Sequence, residues 1–172
     1  HRDGFRERVG RPCGASCAPK RMTSVMAYSD AVKLAGKTVR LEPMRIDHAE
    51  GLFAASRDEH IWDYLPTEWP TTVDEMCVWV ETAMQQNTIG YRVPFTVLDA
   101  ATDEVIGSTS YLDISEPDRH LEIGWTWYNP DVWRTRVNTE CKYLLLRHAF
   151  ETLGCIRVQL RTDLRNERSQ RA

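Results

Sequence analysis

Three segments in the middle of the chain limit its fold more than anything else in it. Val93 to Leu98, Val105 to Leu112 and Leu121 to Tyr128 are rich in β-branched, aromatic and aliphatic residues, and each is short for a core helix. Between them lie Ala100 to Asp103 and Ser115-Glu116-Pro117-Asp118, turn formers that leave no room for a crossover helix. Strands joined this closely run antiparallel, so the centre of the fold reads as a meander. A doubly wound parallel sheet, in which strands and helices alternate, does not fit.

The flanking segments supply helices and further strands. Lys37 to Leu41 alternates polar and apolar residues and reads as a strand, with Pro43 ending its ladder. Asp47 is expected to cap a helix that carries Leu52 and Phe53 inward and decays near Asp63, ahead of Pro66 and Pro70. Thr72 and Glu75 form a capping box for a second helix, with Val73, Met76, Cys77, Val80 and Met84 at helical spacing. After the meander, Asn138 to Leu153 is helical, with Cys141, Leu145, Ala149 and Leu153 on one side and Leu144, Leu146 and Phe150 widening the stripe; Gly154 follows as its C′ residue. Ile156, Val158, Leu160 and Thr162 alternate with polar residues as a further strand, and a helix begins at Asn166. The fold class is α+β, a mixed α/β sandwich with a mostly antiparallel central sheet and helices on both faces.

A chain of 172 residues with 42% hydrophobic content supports one domain, expected over residues 36–172. Residues 1–35 are rich in Arg, Gly, Pro, Ser and Ala, lack an apolar period, and read as a disordered or leader segment. Met22 or Met26 is the expected true start, and an interaction tail is the functional alternative for the upstream residues. A net charge of −3 gives no support for nucleic acid or an anionic membrane as partner. No stretch approaches the ~18 apolar residues of a membrane span. The scattered cysteines read as reduced and buried, which implies a cytoplasmic protein. Cys13 and Cys17 lack a matching second pair, and the isolated histidines lack ligand spacing, so no metal is expected.

Chemistry is most readily placed where the third meander strand runs into a helix. Asn129-Pro130-Asp131 breaks the strand, and Trp133-Arg134-Thr135-Arg136-Val137-Asn138-Thr139 leads directly into the helix. The first N–H groups of a helix lack internal partners and carry the positive end of its dipole. With Arg134 and Arg136 beside them they suit a phosphate or pyrophosphate. The same residues equally describe an ordinary helix start with two solvated arginines.

From Lys37 to Ala172 the order of segments resembles the GNAT superfamily of N-acetyltransferases, and within it the Rim-type ribosomal-protein N-terminal acetyltransferases. Glu122-Ile123-Gly124-Trp125 followed by Trp133-Arg134 is similar to that branch's strand and pyrophosphate loop, and Asn166-Glu167-Arg168-Ser169-Gln170-Arg171-Ala172 to its N-x-x-S-x-x-A motif. The usual loop, Q/R-x-x-G-x-G/A, is matched at Arg134 but carries Val137 and Thr139 where small residues normally sit.

The resemblance implies a transferase that moves an acetyl group from acetyl-CoA to a primary amine, either a peptide N-terminus or a small molecule; the alternative is a catalytically silent acyl-CoA-binding module. The pantetheine arm would pair with the backbone of Gly124, Trp125, Thr126 and Trp127, where that strand splays from the next. The pyrophosphate would lie on Arg134, Thr135, Arg136, Val137, Asn138 and Thr139, and Asn166 would bond the pantetheine, or else simply cap the last helix. Glu122 is the candidate base, placed where partial burial would suit it to accept a proton, or a structural glutamate. Ser169 is the candidate proton donor to the thiolate, and Trp62, Tyr64 and Trp69 are candidates for the acceptor pocket. A homodimer is compatible with this reading. In families of this kind the last helix continues and two more strands complete the sheet, so the chain as given is expected to be poorly soluble or inactive.

Overall fold

A computed structural model describes Tyr28 and residues 32–171. Apart from Tyr28 and residues 32–35, the segment expected to be unpatterned lies outside the described residues, as do Cys13 and Cys17.

One six-stranded sheet forms the middle layer, in chain order: β1 (Leu34–Ala35), β2 (Val39–Pro43), β3 (Arg92–Asp99), β4 (Val105–Ser115), β5 (His120–Tyr128) and β6 (Arg157–Gln159). The first five are antiparallel neighbours, and β5–β6 alone is parallel. The expected meander is therefore present, extended by a residue or more at several strand ends. β1 lies within the stretch expected to be structureless, and its buried Leu34 faces Leu41 of β2.

Helix α1 (Ala49–Ala55) and helix α2 (Val73–Thr88) cover one face, packing Leu52, Met76, Trp79, Val80 and Ala83 against Trp127. Helix α3 (Val137–Arg147) covers the other, with Cys141, Leu144 and Leu145 against Phe95, Tyr111, Leu121 and Ile123. A π turn, His148–Thr152, continues α3 and buries Ala149; the Tyr111 hydroxyl donates to the Leu145 carbonyl (2.7 Å) just before it, where the ladder widens. Gly154 follows with φ +70°, a conformation glycine adopts without strain.

Several local expectations need correction. Asp47 caps nothing: it sits inside a 3₁₀ turn, Ile46–His48, and its carboxylate is held by Arg45. That helix ends at Ala55 rather than near Asp63, because Ser56 leaves the helical region and a separate turn, Glu59–Ile61, follows. Thr72 does cap α2, accepting from Glu75 N–H (3.2 Å), but Glu75 reaches back to Thr71 instead of closing the box on Thr72. The buried face of α2 is rotated toward Trp79 and Ala83, so Val73 and Met84 sit at its edge, with a little over a third of their surface exposed. Phe150 is exposed as well. The last strand is shorter than its alternating pattern suggests. Leu160 is exposed because β6 leaves β5 after Gln159 and has no sheet neighbour among the described residues to hold it there; Ile156, just ahead of the strand, is exposed as well. A short helix α4 (Glu167–Gln170) ends the described chain.

Candidate active site

The site begins with an interrupted strand pair. β5 and β6 are in register at His120–Arg157, Leu121–Val158 and Glu122–Gln159, and no pairing follows. From Gly124 to Trp127 the outer edge of β5 has no strand beside it among the described residues. In the same stretch the register of β5 against β4 slips between Ser108 and Ser110, where Trp125 takes a left-handed φ of +50°. Two residues, Trp125 and Thr126, then stand opposite Thr109, which makes a β-bulge. A Cβ on Gly124 would lie 2.8 Å from Leu112 Cδ1 and 3.1 Å from a Glu122 carboxylate oxygen, so both side chains would have to shift to admit one.

The start of α3 faces this gap as open backbone. Arg136, the residue before the helix, makes no capping bond through its side chain. Val137 donates its N–H to Thr135 Oγ1 (3.3 Å) and buries its side chain in the core, so the helical backbone needs no glycine at this position. Among the described residues no acceptor meets the N–H groups of Asn138 or Thr139. Arg134, Thr135 and Arg136 are exposed. The left-handed geometry falls on Arg134, with φ +61°.

Glu140 and Lys142 fix this helix in place, and neither was singled out by sequence pattern. The Glu140 carboxylate accepts the backbone N–H groups of Lys37 (2.9 Å), Thr38 (2.6 Å) and Val39 (2.9 Å), tying the first turns of α3 to the β1–β2 turn. Burial acts to raise its pKa, but those three donors outweigh it and hold the carboxyl below its usual range. Lys142 Nζ donates to Thr126 Oγ1 (2.8 Å), which in turn contacts Thr109 Oγ1 (2.8 Å). Burial pushes the Lys142 ammonium down to about 8.

Glu122 is buried as expected, but it is not alone. Arg161 Nε donates to its carboxylate, and Arg161 also reaches Asp113 (3.5 Å). Asn166 is the N-cap of α4, accepting from Ser169 N–H (3.0 Å), which realises the capping alternative. Ser169 is exposed in the first turn of that helix. Arg168 stacks on Trp133 at 3.9 Å, and Tyr64 donates to the Arg165 carbonyl (3.2 Å), so α4 is held between the α3 loop and the α1–α2 connection. Trp62 joins Trp79 and Trp127 in a buried aromatic cluster, whereas Tyr64 and Trp69 are partly exposed. Among the described residues no group of three or more His, Cys, Asp or Glu could hold a metal, and no helix is long and apolar enough to cross a membrane.

The profile of the acetyltransferase (GNAT) domain matches residues 38–172. The chain belongs to the GNAT acetyltransferase family. Among solved structures it is similar to a GCN5-related N-acetyltransferase from Brucella melitensis, at 28% identity and a TM-score of 0.77, covering 83% of this chain and 65% of that one. A GNAT-family structure from Chromobacterium violaceum shares 27% identity with a TM-score of 0.75, over 94% of this chain and 81% of the other. Mycobacterium smegmatis RimJ, solved with CoA-disulfide, shares 17% identity and a TM-score of 0.69 over 84% of this chain and 73% of that one, so the likeness to Rim-type enzymes is one of fold. The chain spans 65% of the length of the Brucella protein. A search of curated protein sequences finds no match.

Proposed function

We propose that the protein transfers the acetyl group of acetyl-CoA directly to a primary amine. The observation that carries this reading is the parting of β5 and β6 after Glu122–Gln159 beside the unpartnered amides of Asn138 and Thr139. The free edge of Gly124 to Trp127 accommodates a pantetheine arm as a substitute strand. The exposed arginines and the helix start suit a diphosphate. In this reading Asn166 and Ser169, at the start of α4, would meet the cofactor.

In this reading the amine attacks the thioester carbonyl carbon, a C–N bond forms, and the C–S bond breaks to release CoA. The amine loses one proton, taken by Glu122 directly or through water. The departing thiolate gains one, supplied by Ser169. A backbone N–H at the Trp125–Thr126 bulge stabilises charge on the carbonyl oxygen. Arg161 is mostly exposed, and its pairing with Glu122 must loosen as the base engages the amine.

Calorimetry tests the cofactor site first. CoA is expected to bind, and Arg136→Ala to weaken CoA roughly tenfold while leaving pantetheine unaffected, since only CoA carries the diphosphate. No heat at millimolar CoA would remove the acetyl-CoA reading altogether. Thiol release with a panel of amines then separates an enzyme from a silent acyl-CoA-binding module.

A further inference from the structure

Arg92 opens β3 on the face covered by α1 and α2, and it is 1% exposed. A buried guanidinium is ordinarily paired with a carboxylate, because removing a charge from water is costly unless an opposite charge replaces the solvent. Arg92 has no such partner: among the described residues no Asp or Glu lies within ion-pair distance. Its Nε donates to Ser110 Oγ (2.7 Å), and its Nη2 is buried with no acceptor. The plane is held between two indoles, with Cζ 4.2 Å from the Trp125 ring and 5.1 Å from the Trp79 ring. Burial alone pushes the guanidinium down to about 9.

The surroundings repeat the same deficit. Trp79 Nε1 and Trp127 Nε1 are also buried donors without acceptors, and the two rings are neighbours, 6.3 Å apart. A cluster with a full positive charge and three unanswered N–H donors asks for an anionic acceptor. Its place in the sheet says where that acceptor would come from. Arg92 pairs with Leu112, and Leu112 pairs with Glu122, so guanidinium and proposed base stand on one face, two strands and roughly 9–11 Å apart at Cα. Ser110, which anchors Arg92, is opposite Gly124 at the bulge. Trp125 covers the guanidinium from the β5 side and is itself half-buried, so rotation of this one ring uncovers the charge toward the gap.

We propose that Arg92 seats a carboxylate of the acceptor, and that the preferred acceptors are amines bearing a carboxylate a few bonds from the reacting nitrogen. The proposal rests on the acetyltransferase reading for the identity of the reacting amine; the carboxylate seat itself does not need it. Two sources share this chemistry: the α-carboxylate of a free amino acid, and an acidic side chain beside a peptide's N-terminus. Their short reach to Glu122 favours neither on geometry alone.

The test is calorimetric titration of the 172-residue chain, without CoA, with N-acetylglycine and with N-acetylglycinamide, which differ only in the carboxylate. Tryptophan emission, to which Trp79 and Trp125 contribute among the six indoles of the chain, is recorded in parallel. The acid is expected to bind at least tenfold more tightly than the amide, Arg92→Gln to abolish that ratio, and Arg92→Lys to retain part of it. An acetylated dipeptide amide with aspartate in second position separates the two sources: tighter binding than N-acetylglycine points to an acidic peptide, weaker binding to a free amino acid. Equal affinity of the unaltered protein for acid and amide, or a preference that survives in Arg92→Gln, overturns the proposal. Binding of CoA is measured separately on the same sample. If CoA binds and the acid preference is missing, the carboxylate seat alone is wrong. If the acid preference is present and CoA does not bind, the acetyltransferase reading falls and the seat stands.

Discussion

Glu140→Gln is expected to destabilise the protein by about 2–4 kcal/mol at pH 7. Three backbone donors converge on this carboxylate at 2.9, 2.6 and 2.9 Å, and hydrogen bonds to a charged acceptor contribute roughly 1.5–3 kcal/mol each. The bond from Lys37 is exposed and counts for least. The glutamine carbonyl keeps some of the remainder, but its amide turns a donor toward donors. For a chain of this length the loss corresponds to a fall in Tm of roughly 4–16 °C. The native pKa is depressed below its ordinary value of 4.5, so the contribution is fully present above that pH and disappears as pH falls through the lower native value. Wild type and variant should therefore converge in acid. Gly36 supplies an independent check, because a Cβ there would sit 2.6 Å from Glu140 Cδ. Gly36→Ala should cost much in the wild-type background and little once Glu140 is alanine. Scanning calorimetry of the four variants from pH 7 down to pH 3 measures both effects. A Tm for Glu140→Gln within about 2 °C of wild type at pH 7, or additive losses in the double variant, would refute the reasoning.

Three further outcomes are expected. Gly107→Ala should lower the denaturation midpoint by about 3 kcal/mol equivalent, because its Cβ would fall 2.3 Å from the Trp127 carbonyl and 3.0 Å from Tyr128 Cα, both rigid backbone; an unchanged urea midpoint would contradict this. Lys142 has a native pKa of about 8 against 10.5 when solvated, so the folded state binds fewer protons and stability climbs between those pH values. Lys142→Met should accordingly raise stability by about 1 kcal/mol at pH 7, discounted because the group is only half-buried, and lose the advantage near pH 10.5; a variant less stable than wild type at pH 7 would show that the Thr126 bond dominates. Glu122→Gln should slow amine acetylation roughly 100-fold and flatten its pH profile, and unaltered turnover would sink the base assignment.

Element identity was legible in sequence wherever one residue type forces a local geometry. Thr72 starts α2 and Gly154 follows the helix because their backbone preferences act within a few residues. Leu121, Ile123, Cys141 and Leu145 could be placed in the core by period alone. Failures came where a distant group decides. Arg45 captured Asp47 before it could cap, and β6 lost its alternation because β5 turned away. At the site, the open start of α3 was legible, since an unbroken helix after a Pro-containing turn exposes its amides. Glu140, Lys142 and Arg92 were not. Each is a charged residue whose burial depends on a segment far along the chain. Arg92 left one faint trace: it shares strand parity with Pro94 and Thr96, on the face that α2 covers.

The bulge at Trp125 changes the meaning of every residue after it in β5. Up to Gly124 the even-numbered side chains face α2; beyond it Thr126 meets Lys142 of α3, while Trp127 joins the tryptophans beneath α1 and α2. The inserted residue acts as a half-step in the pleat. Deleting it would restore simple alternation and leave the last three side chains of the strand on their present faces, whereas flattening the bulge with every residue kept would turn them inside out, sending an indole toward α3 and a threonine into the aromatic layer.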